Sequence, residues 1–124
     1  MKRLNSIAML TVYHHPNCGT CKKAIQWLDQ SGAEYKLIDI REKTPPQKLL
    51  KLALKQGYSL KQLFNTSGQA YREQGIKDQL AGLSEAEAVK LVCSDGMLCK
   101  RPVVSDGDTV TIGFKADRFA AAWA

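Results

Sequence analysis

Apolar residues recur along this chain at two spacings, which divide it into predicted strands and helices. Residues 7–13 form a short, mostly apolar run and residues 34–40 alternate polar with apolar positions, so both segments predict β-strands. Between them, apolar residues at helical spacing predict a helix over residues 22–30 that ends near Gly32. A strand, a helix and a second strand in this order predict a parallel βαβ unit.

The middle of the chain alternates between helical spacing and turn signals. Thr44, Pro45 and Pro46 predict the start of a helix that ends at Gly57, and a second, short helix is predicted around residues 71–74. Residues 65–68 are rich in turn-forming side chains and predict a loop. Residues 84–87 match a capping box, which predicts one more helix.

The last third of the chain returns to strand signals. Residues 101–105 and 109–113 predict two strands joined by a tight turn at Asp106-Gly107, and a closing helix contains Phe119 and Trp123. The order βαβ, helices, ββα predicts an α/β fold with a thioredoxin-like mixed sheet and an inserted helical lobe. We expect one domain over residues 1–124, with its core at about 6–41 and 97–124 and the helical insertion at about 42–96.

The composition indicates the class of protein and the redox compartment in which we expect it. The chain has 124 residues, of which 44% are hydrophobic and 24% charged, as in ordinary soluble domains. Its 4 cysteines are too few and too unevenly spaced for a secreted disulfide scaffold, so we expect a reducing, cytoplasmic setting. No run approaches the roughly 18 apolar residues of a membrane span.

The net charge of +6 does not by itself select a partner. The basic residues are scattered, no predicted helix carries a continuous basic stripe, and few aromatic residues stand among them. We therefore expect a solvated surface and no direct binding to nucleic acid or membrane.

The candidate reactive thiols lie in the segment Cys18-Gly19-Thr20-Cys21, between the first predicted strand and the first predicted helix. This layout is typical of a thioredoxin-like redox site. A thiol at a helix N-terminus faces unpaired N–H groups and the positive end of the helix dipole, and both favour the thiolate. The pattern predicts Cys18 as the attacking thiol and Cys21 as the resolving thiol, while Gly19 and Thr20 tune the reduction potential.

Other cysteines and histidines leave alternatives open. A zinc site at the paired cysteines would need four ligands, and five residues separate Cys93 from Cys99 where a second zinc knuckle has two. Cys99 is either an auxiliary thiol or a small buried residue, and Cys93 is expected in the core. His14 or His15 could move a proton near Cys18 or simply pack against the loop.

Three segments together resemble the arsenate reductase (ArsC)/Spx family, and the similarity extends from about Ser6 to Trp123. The segments are residues 13–24, the Asn65-Thr66-Ser67-Gly68 turn with the Tyr71-Arg72 that follows it, and residues 96–102. The resemblance implies a thioredoxin-like core with an inserted helical lobe. It also implies a cis Pro102 beside the cysteine loop and places Arg101 close to Cys18, where a guanidinium could stabilise a thiolate or bind an oxyanion.

The chain departs from the arsenate reductases in the charges expected around the oxyanion. Those enzymes carry two further arginines, and in this chain Asn65 occupies one of the places while Lys115 lies near the other. Cys21 is a second departure, because reductases of this type commonly lack that cysteine. The resemblance is therefore greater to the CxxC-containing branch related to Spx.

We expect a thiol–disulfide oxidoreductase or reductase that acts on a disulfide-bearing protein or another oxidised substrate. The resemblance implies an external thiol reductant, glutathione or a thioredoxin-type protein, and no metal or prosthetic group. The alternative is an Spx-like regulator that binds the C-terminal domain of the RNA polymerase α subunit, with the cysteine pair as its oxidation sensor.

Overall fold

A computed structural model describes residues 9–123, in which four strands form one sheet with helices packed against both faces. In chain order the elements are β1 Leu10–His14, α1 Gly19–Ser31, β2 Tyr35–Asp39, α2 Gln47–Lys55, a 3₁₀ turn Lys61–Leu63, α3 Gln69–Glu73, α4 Ile76–Leu80, α5 Glu85–Cys93, β3 Val103–Ser105, β4 Val110–Ile112 and α6 Ala116–Trp123.

The sheet has the order β2-β1-β3-β4 and mixed strand directions. β1 runs parallel to β2, as the βαβ pattern predicts, and antiparallel to β3, while β3 and β4 form an antiparallel hairpin. This topology, with the helices α2 to α5 between β2 and β3, is a thioredoxin-like fold and confirms the predicted fold class. The residue bounds of core and insertion stay a prediction.

Side chains of the sheet alternate between two hydrophobic clusters, as the pleat of a strand requires. Leu10, Val12 and Val104 face α1 and α6, where they pack with Phe119 and Trp123. Tyr13 and Val103 belong to the opposite face, together with buried residues of α2, α5 and the loops between them. Both faces of the central strands are thus covered by helices and loops.

Element boundaries differ from the predictions where tertiary contacts decide them. β1 begins at Leu10 and ends at His14, because its five residues pair with the five of β2; the predicted residues 7 and 8 lie outside the described part of the chain. α1 begins at Gly19, three residues before the predicted start, since Cys18 caps it. β3 begins at Val103 rather than residue 101, because Pro102 has no N–H to give to a strand ladder.

The inserted helices correct two further expectations. Two short helices, α3 and α4, stand where one was predicted, and Gly75 separates them with a φ of +63°. α2 does carry a basic stripe, contrary to the expectation of scattered charge. Lys48, Lys51 and Lys55 recur at helical spacing along it and are all exposed.

Candidate active site

The ends of β1 and β3 bring two distant segments of the chain together. Tyr13 of β1 lies opposite Val103 of β3 in an antiparallel pair. The residues that follow β1 therefore lie beside the residues that precede β3, which are Arg101 and Pro102. The Arg101–Pro102 peptide bond is cis, as the family resemblance implies.

A close backbone approach holds the segment that leads to Arg101. Gly96 is buried, and a Cβ at this position would overlap the carbonyl oxygen of Ile40. Further along, the Lys100 N–H donates to the Leu63 carbonyl at 2.9 Å. These contacts require glycine at residue 96 and position the residues that follow it.

Cys18 lies at the N-cap of α1 and is partly exposed. Its sulfur accepts a hydrogen bond from the Cys21 N–H at 3.3 Å, in the place that a serine hydroxyl takes in an ordinary helix cap. Burial raises the pKa of the Cys18 thiol, but hydrogen bonds from the Cys21 side chain and backbone, together with the Arg101 guanidinium, outweigh it and lower the pKa below its usual value. Cys18 is therefore the more acidic thiol of the pair.

Cys21 lies in the first turn of α1 and is fully buried. Burial raises the pKa of this thiol to about 12, with further contributions from its hydrogen bond to Cys18 and from the negative charge there. Cys21 therefore keeps its proton at neutral pH and donates it toward the Cys18 sulfur. Both cysteines are free thiols in this structure.

Arg101 is the cation of the site. Its guanidinium donates toward the Cys18 sulfur and lowers the pKa of that thiol. Its Nε and Nη1 atoms are buried and have no hydrogen-bond partner among residues 9–123. Buried donors are rarely left without a partner, so these two N–H groups suit an anionic atom of a substrate that approaches Cys18.

His15 shapes the loop that enters α1. Its Nδ1 accepts from the Asn17 N–H at 3.0 Å, and its carbonyl accepts from the Cys18 N–H at 3.1 Å. Burial and the nearby Arg101 charge lower the pKa of His15, which favours the neutral ring that this contact needs. His14 is the last residue of β1 and pairs with Asp39.

The second pair of cysteines lies in a different environment. Cys99 is fully buried, and its sulfur donates to the Lys100 carbonyl at 3.4 Å. Cys93 packs against the core, and its sulfur donates to the Pro45 carbonyl at 3.3 Å. Burial raises the pKa of Cys93 to about 11 and that of Cys99 to about 12. Cys21 is as buried as Cys99 but donates to the Cys18 sulfur, whereas Cys93 and Cys99 donate to backbone carbonyls, which favours packing residues over auxiliary thiols.

Asn65 and Lys115, at or near the places where the family resemblance implies arginines in the arsenate reductases, have different neighbours. The Asn65 N–H donates to the Leu98 carbonyl at 2.7 Å, and its side-chain amide lies over Gly68. These contacts hold Asn65 to the segment before Arg101. Lys115 instead lines a cavity that also reaches Thr20 of the cysteine motif.

Sequence reasoning did not find the other cations of that cavity, Lys100 and Arg118. They come from segments far apart along the chain, so no spacing pattern connects them with Thr20. The only signal in the sequence is that Lys100 directly precedes Arg101.

Residues 9–123 contain neither a cluster of metal ligands nor a membrane-spanning helix. No group of three or more histidine, cysteine or acidic side chains in this range could hold a metal ion. No helix in the same range is both long and apolar enough to cross a membrane.

A thioredoxin-like sheet with a CxxC pair at the start of its first helix defines a broad class of proteins. Within this class the chain belongs to the ArsC family, whose model matches residues 13–122. A crystal structure of a possible arsenate reductase from Streptococcus mutans UA159 superimposes with a TM-score of 0.80 at 45% identity, and the match covers 88% of this chain and 93% of that one.

Curated relatives of different functions are similar to the chain. An uncharacterised protein, YusI of Bacillus subtilis (strain 168), is 50% identical over 116 residues, which are 93% of this chain and 98% of the relative. An arsenate reductase from Escherichia coli is 30% identical over 97 residues, which are 77% of this chain and 67% of the relative. The global transcriptional regulator Spx of Streptococcus mutans is 26% identical over 116 residues, 91% of this chain and 82% of the regulator.

Proposed function

We propose that this chain is a thiol–disulfide oxidoreductase in which Cys18 is the nucleophile and Cys21 the resolving thiol. One observation carries the proposal: a partly exposed sulfur at a helix N-cap accepts hydrogen bonds and lies beside Arg101, while a buried thiol donates to it. A thiolate is the reactive form in disulfide exchange, and this arrangement stabilises it on the sulfur that a substrate can reach.

The reaction proceeds in two exchanges. The Cys18 thiolate attacks one sulfur of a substrate disulfide R–S–S–R′, forms the mixed disulfide Cys18–S–S–R and releases R′–S⁻, which takes up a proton. Cys21 then loses its proton and attacks the Cys18 sulfur, which breaks the bond to R and releases R–S⁻ to be protonated in turn. The substrate gains the electron pair that the dithiol loses, and an external thiol of the glutathione or thioredoxin type, available in the cytoplasm, reduces the Cys18–Cys21 disulfide.

The pKa of Cys21 depends in part on the charge of Cys18, and this affects the second exchange. The Cys18 hydrogen bond and charge contribute to the raised pKa of Cys21. Burial is the largest cause of the raised pKa of Cys21 and persists in the mixed disulfide, but the negative charge of the Cys18 thiolate is then gone, which lowers the pKa of Cys21 for its attack. Pro102 forms the edge of the site beside the cysteines, and Arg101 stabilises the thiolate or the negative charge of the substrate.

Arsenate reduction, the activity named for the Escherichia coli relative, makes a stronger demand for positive charge. Arg101 has buried Nε and Nη1 atoms without a hydrogen-bond partner among residues 9–123, but the family resemblance implies that Asn65 stands where those reductases carry a second arginine. A dithiol within one helical turn suits disulfides instead. We therefore propose a disulfide, not arsenate, as the substrate.

A trapping experiment tests the assignment. Cys21→Ser stops the second exchange, so this variant should retain covalent partners from a lysate of the source cells that only a reductant releases. Cys18→Ser is the matched control, because it cannot form the first bond and should retain none of them. Equal capture by both variants contradicts the roles given to the two cysteines. RNA polymerase α retained by both variants, with or without reductant, supports the Spx-like regulator instead.

A further inference from the structure

We propose that a cationic cavity beside the dithiol selects disulfides that carry carboxylate groups next to the reacting sulfur. This inference rests on the proposed function, since it names the class of substrate for the same cysteines. The cavity has a volume of about 270 Å³, and Thr20, which lies between Cys18 and Cys21 in the motif, lines it. The cavity therefore borders the first turn of α1, the helix that Cys18 caps, although Cys18, Cys21 and Arg101 do not themselves line it.

The charge in the cavity has one sign. Lys100, Lys115 and Arg118 line it, and no acidic residue is among its lining residues in the described part of the chain. None of these three cations forms an ion pair with another residue of the range 9–123. Arg41, by contrast, is paired with Asp39. Their charge is not neutralised within that range, so an anion that enters the cavity finds unpaired donors.

Packing holds two of the cations in place. A Cβ at Gly113, which has a φ of +77°, would lie 2.9 Å from the Lys100 Cε, so the Lys100 stem crosses the chain there. The Arg118 guanidinium lies 4.7 Å from the centre of the Tyr58 ring, and the Tyr58 hydroxyl accepts from the Ile112 N–H at 3.1 Å. Side chains held in this way lose less freedom when they bind a ligand.

The size of the cavity limits what it can recognise. Pockets for whole small molecules measure roughly 300 to 1,000 Å³, so the volume of about 270 Å³ found here lies below the lower end of that range. The cavity therefore suits one carboxylate-bearing group that flanks the sulfur. A small acidic disulfide such as oxidised glutathione offers this chemistry, and so does a glutamate beside a cysteine of a protein.

The test compares substrates that differ only in charge. Two synthetic peptide disulfides of equal length, one with Glu and one with Gln beside the cysteine, are reduced by the full chain under steady-state conditions. Oxidised glutathione represents the small source, and hydroxyethyl disulfide is the neutral reference. We expect kcat/KM for the Glu peptide to exceed that for the Gln peptide roughly two- to fivefold, which is the effect of a solvent-exposed ion pair. The preference should shrink as salt increases.

Variants locate the origin of the preference. Lys100→Gln and Arg118→Gln should each lower the preference for the Glu peptide over the Gln peptide about two- to threefold. Lys23→Gln is the matched control, because Lys23 is an exposed cation on α1 that does not line the cavity, and it should leave the preference unchanged. A preference for oxidised glutathione alone points to the small source, and one for the Glu peptide points to acidic protein segments.

The outcomes separate this inference from the proposed function. Equal kcat/KM for the Glu and Gln peptides and no preference for oxidised glutathione over hydroxyethyl disulfide, together with rapid reduction of hydroxyethyl disulfide, overturn the cavity proposal and leave the oxidoreductase standing. A preference that Lys23→Gln reduces as much as Lys100→Gln also overturns it, because the cause is then the general field of the protein. Failure to reduce any of the disulfides overturns both.

Discussion

Cys18 differs from Cys93 and Cys99 in the direction of its hydrogen bonds. The Cys18 sulfur accepts hydrogen bonds from the start of α1 and from Arg101, and its pKa is lowered. The sulfurs of Cys93 and Cys99 donate to carbonyl oxygens instead, and burial raises their pKa values to about 11 and about 12. The same side chain is thus a nucleophile at a helix N-terminus and a small apolar residue in the core.

The largest expected effect is on the rate of disulfide reduction, which should depend on Cys18 and not on Cys99. Cys18→Ser should lower the rate of disulfide reduction by several orders of magnitude, because it removes the attacking sulfur. Cys99→Ala should change that rate less than about twofold, since a buried thiol with a pKa of about 12 is almost entirely protonated at neutral pH. Single-turnover reduction of hydroxyethyl disulfide measures both. A large loss in Cys99→Ala with native folding would make Cys99 part of the reaction.

A smaller effect is expected on the pKa of Cys18 when Arg101, the cation beside it, is replaced. Arg101→Ala should raise the pKa of Cys18 and slow its alkylation at neutral pH, because the sulfur loses a charged donor. Ultraviolet absorbance of the thiolate against pH reads this directly, in a background with Cys93→Ala and Cys99→Ala. Arg101→Lys should restore part of the shift, since it keeps the charge but not the planar guanidinium.

Arg41→Ala is the matched control for Arg101→Ala. Arg41 is an exposed arginine whose side chain is bound to Asp39 with a separation of 2.6 Å, and it does not contact Cys18. Its removal should leave the Cys18 titration unchanged. An equal shift in both variants would show that overall charge, not the placement of Arg101, controls the thiol.

The contrast between the pairs was partly predictable from the sequence. The spacing of Cys18 and Cys21 before a helical segment predicts an N-terminal thiol, because the helix dipole and the free N–H groups follow from local structure. The position of Arg101 came only from the family resemblance, since sheet pairing, not sequence spacing, brings residue 101 to residue 18. The carbonyl partners of Cys93 and Cys99 depend on loop conformations that no periodicity specifies.

Alkaline pH should lower the stability of the reduced protein through the buried Cys99 thiol. The folded state keeps the Cys99 proton up to a pKa of about 12, whereas the unfolded chain releases it near the ordinary value of 9.0. Above that value the unfolded state binds fewer protons, so the free energy of unfolding decreases as pH rises, by at most about 1.4 kcal/mol per pH unit for one group. This contribution is complete below about pH 9 and is lost toward pH 12.

Paired variants isolate this contribution from other groups that titrate at high pH. In urea unfolding with reductant present, Cys99→Ala should show a shallower decrease of stability with pH than the wild type. Cys18 contributes below about pH 9, where its lowered folded pKa stabilises the fold as the thiol ionises, so Cys18→Ala should lose this gain there and keep the wild-type slope from pH 9 to 12. Identical slopes for the two variants would mean that the environments of the two thiols do not differ as the hydrogen bonds indicate.

The smallest effect concerns the same substitution, cysteine to serine, in the two environments at neutral pH. Serine is a preferred N-cap residue, so Cys18→Ser should unfold within about 0.5 kcal/mol of the wild type, whereas Cys18→Ala should lose about 1 kcal/mol with the cap. In the core, Cys99→Ser places a hydroxyl among apolar side chains and should lose about 1 to 3 kcal/mol. Urea midpoints measure all three, and a Cys18→Ser protein as unstable as Cys18→Ala would show that the sulfur does not act as a helix cap.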